Sequence, residues 1–157
     1  MEYSAIFHDM DKRFCYAIEK DLFVIRVQVK KDDMKEIILH YEDKYIPMER
    51  EDTRKTIVMK KVATSQFNDY YEAQVRMHLI CLRYFFEFTD MQGEKVYYGN
   101  YEFSRECITN RDRMFDCPLP GIPGGERGTD LGDHDQMYCC SFWQRCQCGG
   151  GRIHSGE

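Results

Sequence analysis

Eight cysteines in 157 residues are the first feature that could do chemistry. Cys139, Cys140, Cys146 and Cys148 lie near His134 and His154, and thiolates and imidazoles together can hold zinc. Their spacing argues against it. Structural zinc sites present cysteine pairs as C-x₂₋₄-C, whereas these pairs read CC and C-x-C, and adjacent cysteines rarely both reach one tetrahedral ion. Asp133-His134-Asp135 has the residue types of a metal phosphohydrolase dyad, yet no matching set of upstream ligands accompanies it. No metal and no other cofactor is expected. Disulfides are not expected in a reducing compartment, and Cys15 and Cys81 sit in strand-like segments where cysteine acts as a small buried hydrophobe.

Paired carboxylates are the second candidate. Asp32-Asp33 and Glu51-Asp52 stand in predicted turns, where Asp is favoured for turn geometry rather than for acid–base work. Other acidic residues alternate with apolar ones and read as a solvated strand face. The sequence contains no Gly-rich phosphate loop, no G-x-S-x-G elbow and no H-E-x-x-H. A stand-alone enzyme is not expected.

The elements that would carry these residues have a period of two. Leu22 to Lys30 puts Phe23, Ile25, Val27 and Val29 on one face and Arg26, Gln28 and Lys30 on the other. Asn68 to Met77 sets Tyr71, Ala73, Val75 and Met77 inward, with Tyr70, Glu72, Gln74 and Arg76 outward. Leu82 to Thr89 sets Leu82, Tyr84, Phe86 and Phe88 against Arg83, Phe85, Glu87 and Thr89. A turn at Asp90-Met91-Gln92-Gly93 leads into Lys95-Val96-Tyr97-Tyr98, a hairpin. Shorter strands are expected at Ser4–His8, Phe14–Ile18, Glu36–Tyr41 and Thr56–Lys60. The apolar stripe of a helix is absent from all of them. Seven or eight short strands with polar turns predict an all-β, antiparallel β-sandwich.

Composition changes near residue 117. Residues 1–116 hold 19 of the 22 Lys and Arg, while the last 41 residues hold 9 of the 11 Gly, 3 of the 4 Pro and 5 of the 8 Cys. Residues 1–116 are therefore expected to be the domain. Residues 117–157 are expected to form an irregular or disordered Gly/Cys-rich tail, with little to bury and much backbone entropy to lose. Net charge of -5 argues against a non-specific grip on nucleic acid or an anionic membrane. No run of 18 apolar residues occurs, and Met1-Glu2-Tyr3-Ser4 begins neither a basic nor an apolar leader, so a cytoplasmic location is expected.

Several stretches carry a family resemblance. Ala5-Ile6-Phe7-His8, then Val24 to Asp33, then Ile38-Leu39-His40-Tyr41-Glu42-Asp43 resemble the N-terminal domain of neopullulanases, cyclomaltodextrinases and maltogenic amylases. Asp69-Tyr70-Tyr71-Glu72-Ala73, Leu82 to Phe88, and Tyr97-Tyr98-Gly99-Asn100-Tyr101-Glu102-Phe103 continue the series in order. That domain is carbohydrate-binding module family 34, an immunoglobulin-like sandwich ahead of a glycoside hydrolase family 13 barrel. The resemblance runs through residues 3–117 and stops after Phe115-Asp116-Cys117-Pro118. The barrel, with the family's nucleophile Asp, acid/base Glu and third Asp, does not follow.

The resemblance implies a truncated module of an α-glucan hydrolase. The parent would act on maltooligosaccharides, pullulan or cyclodextrins, and no catalytic residue carries over. The tail would be an out-of-frame product or a genuine extension. Implied partners are an α-glucan oligosaccharide and the missing barrel or a second subunit, with no nucleic acid and no membrane. Sugar stacking on such a sandwich needs exposed rings, which points to Tyr97, Tyr98, Tyr101 and Phe103. The alternative from a different class is a metal- or protein-binding polypeptide acting through its Cys-rich tail.

Overall fold

The computed structural model describes residues 1–10, 13–19, 21–44, 54–76 and 81–118. Met77, Glu51-Asp52, and the tail residues Asp133, His134, Asp135, Cys139, Cys140, Cys146, Cys148 and His154 lie outside the described residues.

The strands are β1 (Cys15–Glu19), β2 (Leu22–Lys30), β3 (Met34–Asp43), β4 (Lys55–Val58) and β5 (Lys60–Thr64), then β6 (Asn68–Arg76), β7 (Cys81–Asp90), β8 (Lys95–Gly99), β9 (Glu102–Ser104) and β10 (Phe115–Pro118). All named pairs are antiparallel. One sheet has the order β1-β2-β6-β5; the other runs β4-β3-β7-β8-β9, with β10 beside β7. The expected all-β, immunoglobulin-like sandwich is the observed fold.

The period-two alternation makes the core. Ile25, Val27 and Val75 of one sheet and Leu39, Phe86 and Phe88 of the other all have 0% exposure. Each such side chain, fully buried, contributes about 1.5–3 kcal/mol of transfer free energy. Cys15 and Cys81 are both buried, as their strand positions imply. The Asp32-Asp33 pair sits in the turn between β2 and β3, with Asp32 at φ +56°.

Four expectations need correction. Ser4–His8 is not a strand: Tyr3–Ala5 is a 3₁₀ turn, because the Glu2 carboxylate accepts from the Ser4 amide and hydroxyl, and only Phe7 bridges to Gln28. The single run Thr56–Lys60 is two strands in different sheets, and the chain crosses between them at buried Met59, whose amide donates to the Ile37 carbonyl. Arg83, Phe85, Glu87 and Thr89 do not face water, since all ten residues of β7 are buried. Ile108, Met114 and Tyr97 pack over Phe85, while Asp116 pairs with Arg83, and His40 and Lys95 pair with Glu87. Strands β9 and β10 are additional; each is too short to show alternation.

Candidate functional site

The predicted aromatic residues lie around the hairpin of β8 and β9. Gly99 pairs with Glu102, so its loop is the two residues Asn100 and Tyr101, at φ +45° and +64°. Positive φ at both positions is what the twist of a two-residue hairpin demands. Asn tolerates that region, but a Tyr there carries backbone strain. Two contacts hold it. The Tyr101 ring meets Phe115 edge-on at 5.1 Å, and its hydroxyl donates to Asp9 Oδ1 at 3.1 Å. Partial burial and then the Asp9 carboxylate push this phenol up to about 12. The ring is nevertheless 50% exposed.

Phe103 is opposite Tyr98 in the ladder and stacks on it, with centroids 4.5 Å apart. Tyr3 closes edge-on against Phe103 at 5.0 Å. Tyr98 itself is buried, faces Phe86 and Phe88, and touches Phe115. It supports the patch from below and has almost no free face. Tyr97 points to the other side of the sheet, toward Phe85, Ile108 and Met114. The structure thus links Tyr101 to Tyr98 through Phe115, and Tyr98 to Phe103 by stacking, and does not bring Tyr97 to them.

The exposed rings are Tyr101, with the Asp9 carboxylate on its hydroxyl, and the Tyr3–Phe103 pair, and buried Tyr98 and Phe115 lie between them in the chain of contacts. Tyr3 was missed in the sequence because only long-range packing of the N-terminal segment seats it on β9. Ring faces with one fixed carboxylate can stack on the CH faces of a sugar and orient a hydroxyl. Among the described residues, no group of three or more His, Cys, Asp or Glu could hold a metal ion. The buried carboxylates of Glu87 and Asp69 are committed to structural pairs. Glu87 accepts from His40 and Lys95, and Asp69 from Lys61, Thr64 and the Asp32 amide.

Residues 1–120 match the family described as alpha amylase, N-terminal ig-like domain. The chain is 38% identical over 126 residues to a maltogenic alpha-amylase of Bacillus acidopullulyticus, covering 73% of this chain and 21% of that one. It is 32% identical over 116 residues to a cyclomaltodextrinase of a Bacillus species, covering 73% and 20%. A solved cyclomaltodextrinase superposes with a TM-score of 0.69 at 31% identity, covering 76% of this chain and 20% of that one. The chain therefore spans about a fifth of the length of these relatives. The type III pullulan hydrolase from Thermococcus kodakarensis shares the fold at a TM-score of 0.52 and 17% identity, over 71% of this chain and 16% of that one.

Proposed function

The chain belongs to the family of alpha-amylase N-terminal ig-like domains, and from that premise we propose that it is the non-catalytic glucan-contacting and docking module of an α-glucan hydrolase. The parent reaction is hydrolysis of α-glucosidic bonds in maltooligosaccharides, pullulan or cyclodextrins, carried out in a barrel outside this chain. Tyr101 and Phe103, with Tyr3 beside them, stack on short α-glucans where the module meets the barrel or a second subunit. Tyr98 and Phe115 set the angle of those rings from beneath. Tyr97 is left out of the contact.

One observation carries the reading. A bulky ring is held at positive φ on an exposed hairpin loop, fixed by Phe115 and Asp9. Strain of that kind, about 1–3 kcal/mol, persists where surrounding structure imposes it and clusters at binding sites. A cytoplasmic setting, where cysteines stay reduced, is part of the same proposal. The family match falls on the sandwich, so function acting through the tail is not favoured.

Isothermal titration of the chain with maltoheptaose tests the reading. Tyr101→Ala and Phe103→Ala should each weaken binding about tenfold, the scale of one lost ring contact. Unchanged affinity in both removes the assignment. Reading the locus beyond the codon for Cys117 in all frames tests the parent architecture, which requires a barrel in one of them.

A further inference from the structure

We infer that His8 is a positioning residue for the Tyr101 contact: its seat in the core decides how the hairpin ring is presented to a glucan. The inference rests on the glucan reading above and names a residue, remote from the hairpin in sequence, on which that site depends.

The backbone around His8 is extended, so consecutive side chains turn to opposite sides. Ile6 and His8 are buried, whereas Phe7 is exposed and Asp9 half-buried. Two backbone bonds fix that phase. The Phe7 amide donates to the Gln28 carbonyl at 2.9 Å, and the Gln28 amide donates to the Phe7 carbonyl at 2.8 Å. One residue further, the imidazole is held at both nitrogens. Nδ1 is 2.7 Å from the Arg26 carbonyl, and Nε2 is 2.7 Å from the Tyr84 hydroxyl. With the ring seated inside, Asp9 must emerge beside the hairpin.

Two routes lead from His8 to Tyr101. The first runs along the backbone. Asp9 follows His8 directly, and its Oδ1 accepts from the Met10 amide at 2.8 Å and from the Tyr101 hydroxyl at 3.1 Å. The second runs through packing. The imidazole meets buried Phe115 edge-on at 5.0 Å, and Tyr101 stands edge-on against the same ring at 5.1 Å. The tip and the edge of Tyr101 are thus both tied to where His8 sits.

The dependence has a physical reason. Tyr101 is at φ +64°, a region a bulky residue does not favour, and its side chain is half exposed. Neither local conformation nor deep burial fixes such a ring, so the contacts at its tip and edge must. A ring free to swing binds sugar only in the orientations that fit, and affinity falls by that fraction. A histidine that served stability alone would change the amount of folded protein and leave the affinity of the folded protein unaltered.

The test uses the full 157-residue chain with maltoheptaose in titration calorimetry, below the unfolding range of every variant. His8→Ala should weaken binding about fivefold, as for a ring competent about a fifth of the time. Tyr84→Phe, a smaller change that removes the Nε2 partner, covers the case of a His8→Ala chain that does not fold, and should weaken binding about twofold. Asp9→Ala, outside the core, should match His8→Ala, and Asp9→Asn, which keeps an acceptor oxygen, should restore most of the affinity. Val75→Ala, a truncation in the same core but on neither route, should lose stability and bind like the wild type. An ultraviolet titration reads the seating without sugar. The Tyr101 phenol, the phase that Tyr101→Phe removes, is raised to about 12 in the wild type. It should ionise earlier in His8→Ala and keep its place in Val75→Ala.

If folded His8→Ala, or Tyr84→Phe in its stead, binds like the wild type while Tyr101→Ala loses maltoheptaose, this inference falls and the glucan reading stands. If Val75→Ala weakens binding as much as His8→Ala, the effect is general loosening of the core and the inference is overturned. A wild-type chain that binds no maltoheptaose overturns both.

Discussion

His8 and Tyr84 tie the N-terminal segment to the central strand through a buried hydrogen bond of 2.7 Å between Nε2 and the phenolic oxygen. The Arg26 carbonyl, 2.7 Å from Nδ1, can only accept, so Nδ1–H donates to it. In the uncharged ring, Nε2 then accepts from the Tyr84 hydroxyl. Arg26 is in β2 and Tyr84 in β7, so one imidazole links the two sheets across the core. Burial holds the Tyr84 phenol well above its ordinary range. His8→Ala should cost about 3 kcal/mol, from partners left unpaired inside the protein and the space vacated. Tyr84→Phe should cost about 1–2 kcal/mol. In urea unfolding the double variant should lose less than the sum, because both remove the same bond. Strict additivity would mean the bond does not link the sheets.

Tyr101 separates stability from binding. Tyr101→Gly relieves the positive-φ strain at this position but gives up the Phe115 contact and the Asp9 bond. Those effects oppose each other, so the unfolding free energy should move by less than about 1 kcal/mol while maltoheptaose affinity falls. The hydroxyl offers an independent signal. Its pKa is raised to about 12, so it keeps its proton where an unfolded tyrosine, near 10, would lose it. The associated stability is full below pH 10 and is lost as pH rises through that interval. An ultraviolet titration of Tyr101→Phe should lack one late-ionising phenol. A loss from the early phase instead would contradict the Asp9 contact.

The sheets were legible because a half-buried strand must alternate, and β2 and β6 do so along most of their nine residues. The crossing at Met59 was not, because the partner sheet changes within one continuous run of strand-forming residues, and the sequence carries no mark of partner. The outward residues of β7 misled for a related reason: Phe85 looks solvated until residues 105–114 fold over it. The same limit applied to the site. Tyr97 and Tyr98 are neighbours in sequence, so strand geometry sends them to opposite faces. Tyr3, ninety-odd residues from Tyr101, joins the patch only through tertiary packing.

Acid should weaken the fold through Asp69 and Glu87. Burial alone would raise both carboxyls. Asp69 is nevertheless held below its ordinary 3.8 by Lys61, Thr64 and the Asp32 amide. Lys95 and His40 hold Glu87 below 4.5 in the same way. A lowered carboxylate contributes stability that is present above its ordinary value and lost as pH falls through the folded one. The urea midpoint of the wild type should therefore drop below about pH 4.5, in the ordinary carboxylate range. Asp69→Asn should cost about 1–3 kcal/mol at neutral pH, for bonds to a buried acceptor that are weakened or lost. It should also show a shallower acid slope. Equal slopes in the two proteins would take Asp69 out of the explanation.

Gly99 lets the segment after β9 lie close on the sheet. A Cβ there would run into the Arg113 carbonyl oxygen and come within 2.9 Å of Ile108 Cδ1. Carbonyl and core side chain must both move, so Gly99→Ala should cost about 1–3 kcal/mol as an overpacking change. The disturbance has a direction. Ile108 and Met114 cover Phe85, and the Asp112 carbonyl accepts from Asn100 Nδ2 at 3.3 Å, so the cover over β7 and the Asn100-Tyr101 loop should loosen together. Hydrogen exchange should quicken through residues 105–114 and at the hairpin, while β2 and β6 keep their protection. Maltoheptaose affinity should fall in the same variant, although no aromatic ring has been removed. Faster exchange spread evenly over both sheets would instead make Gly99 a general packing position with no special hold on the hairpin.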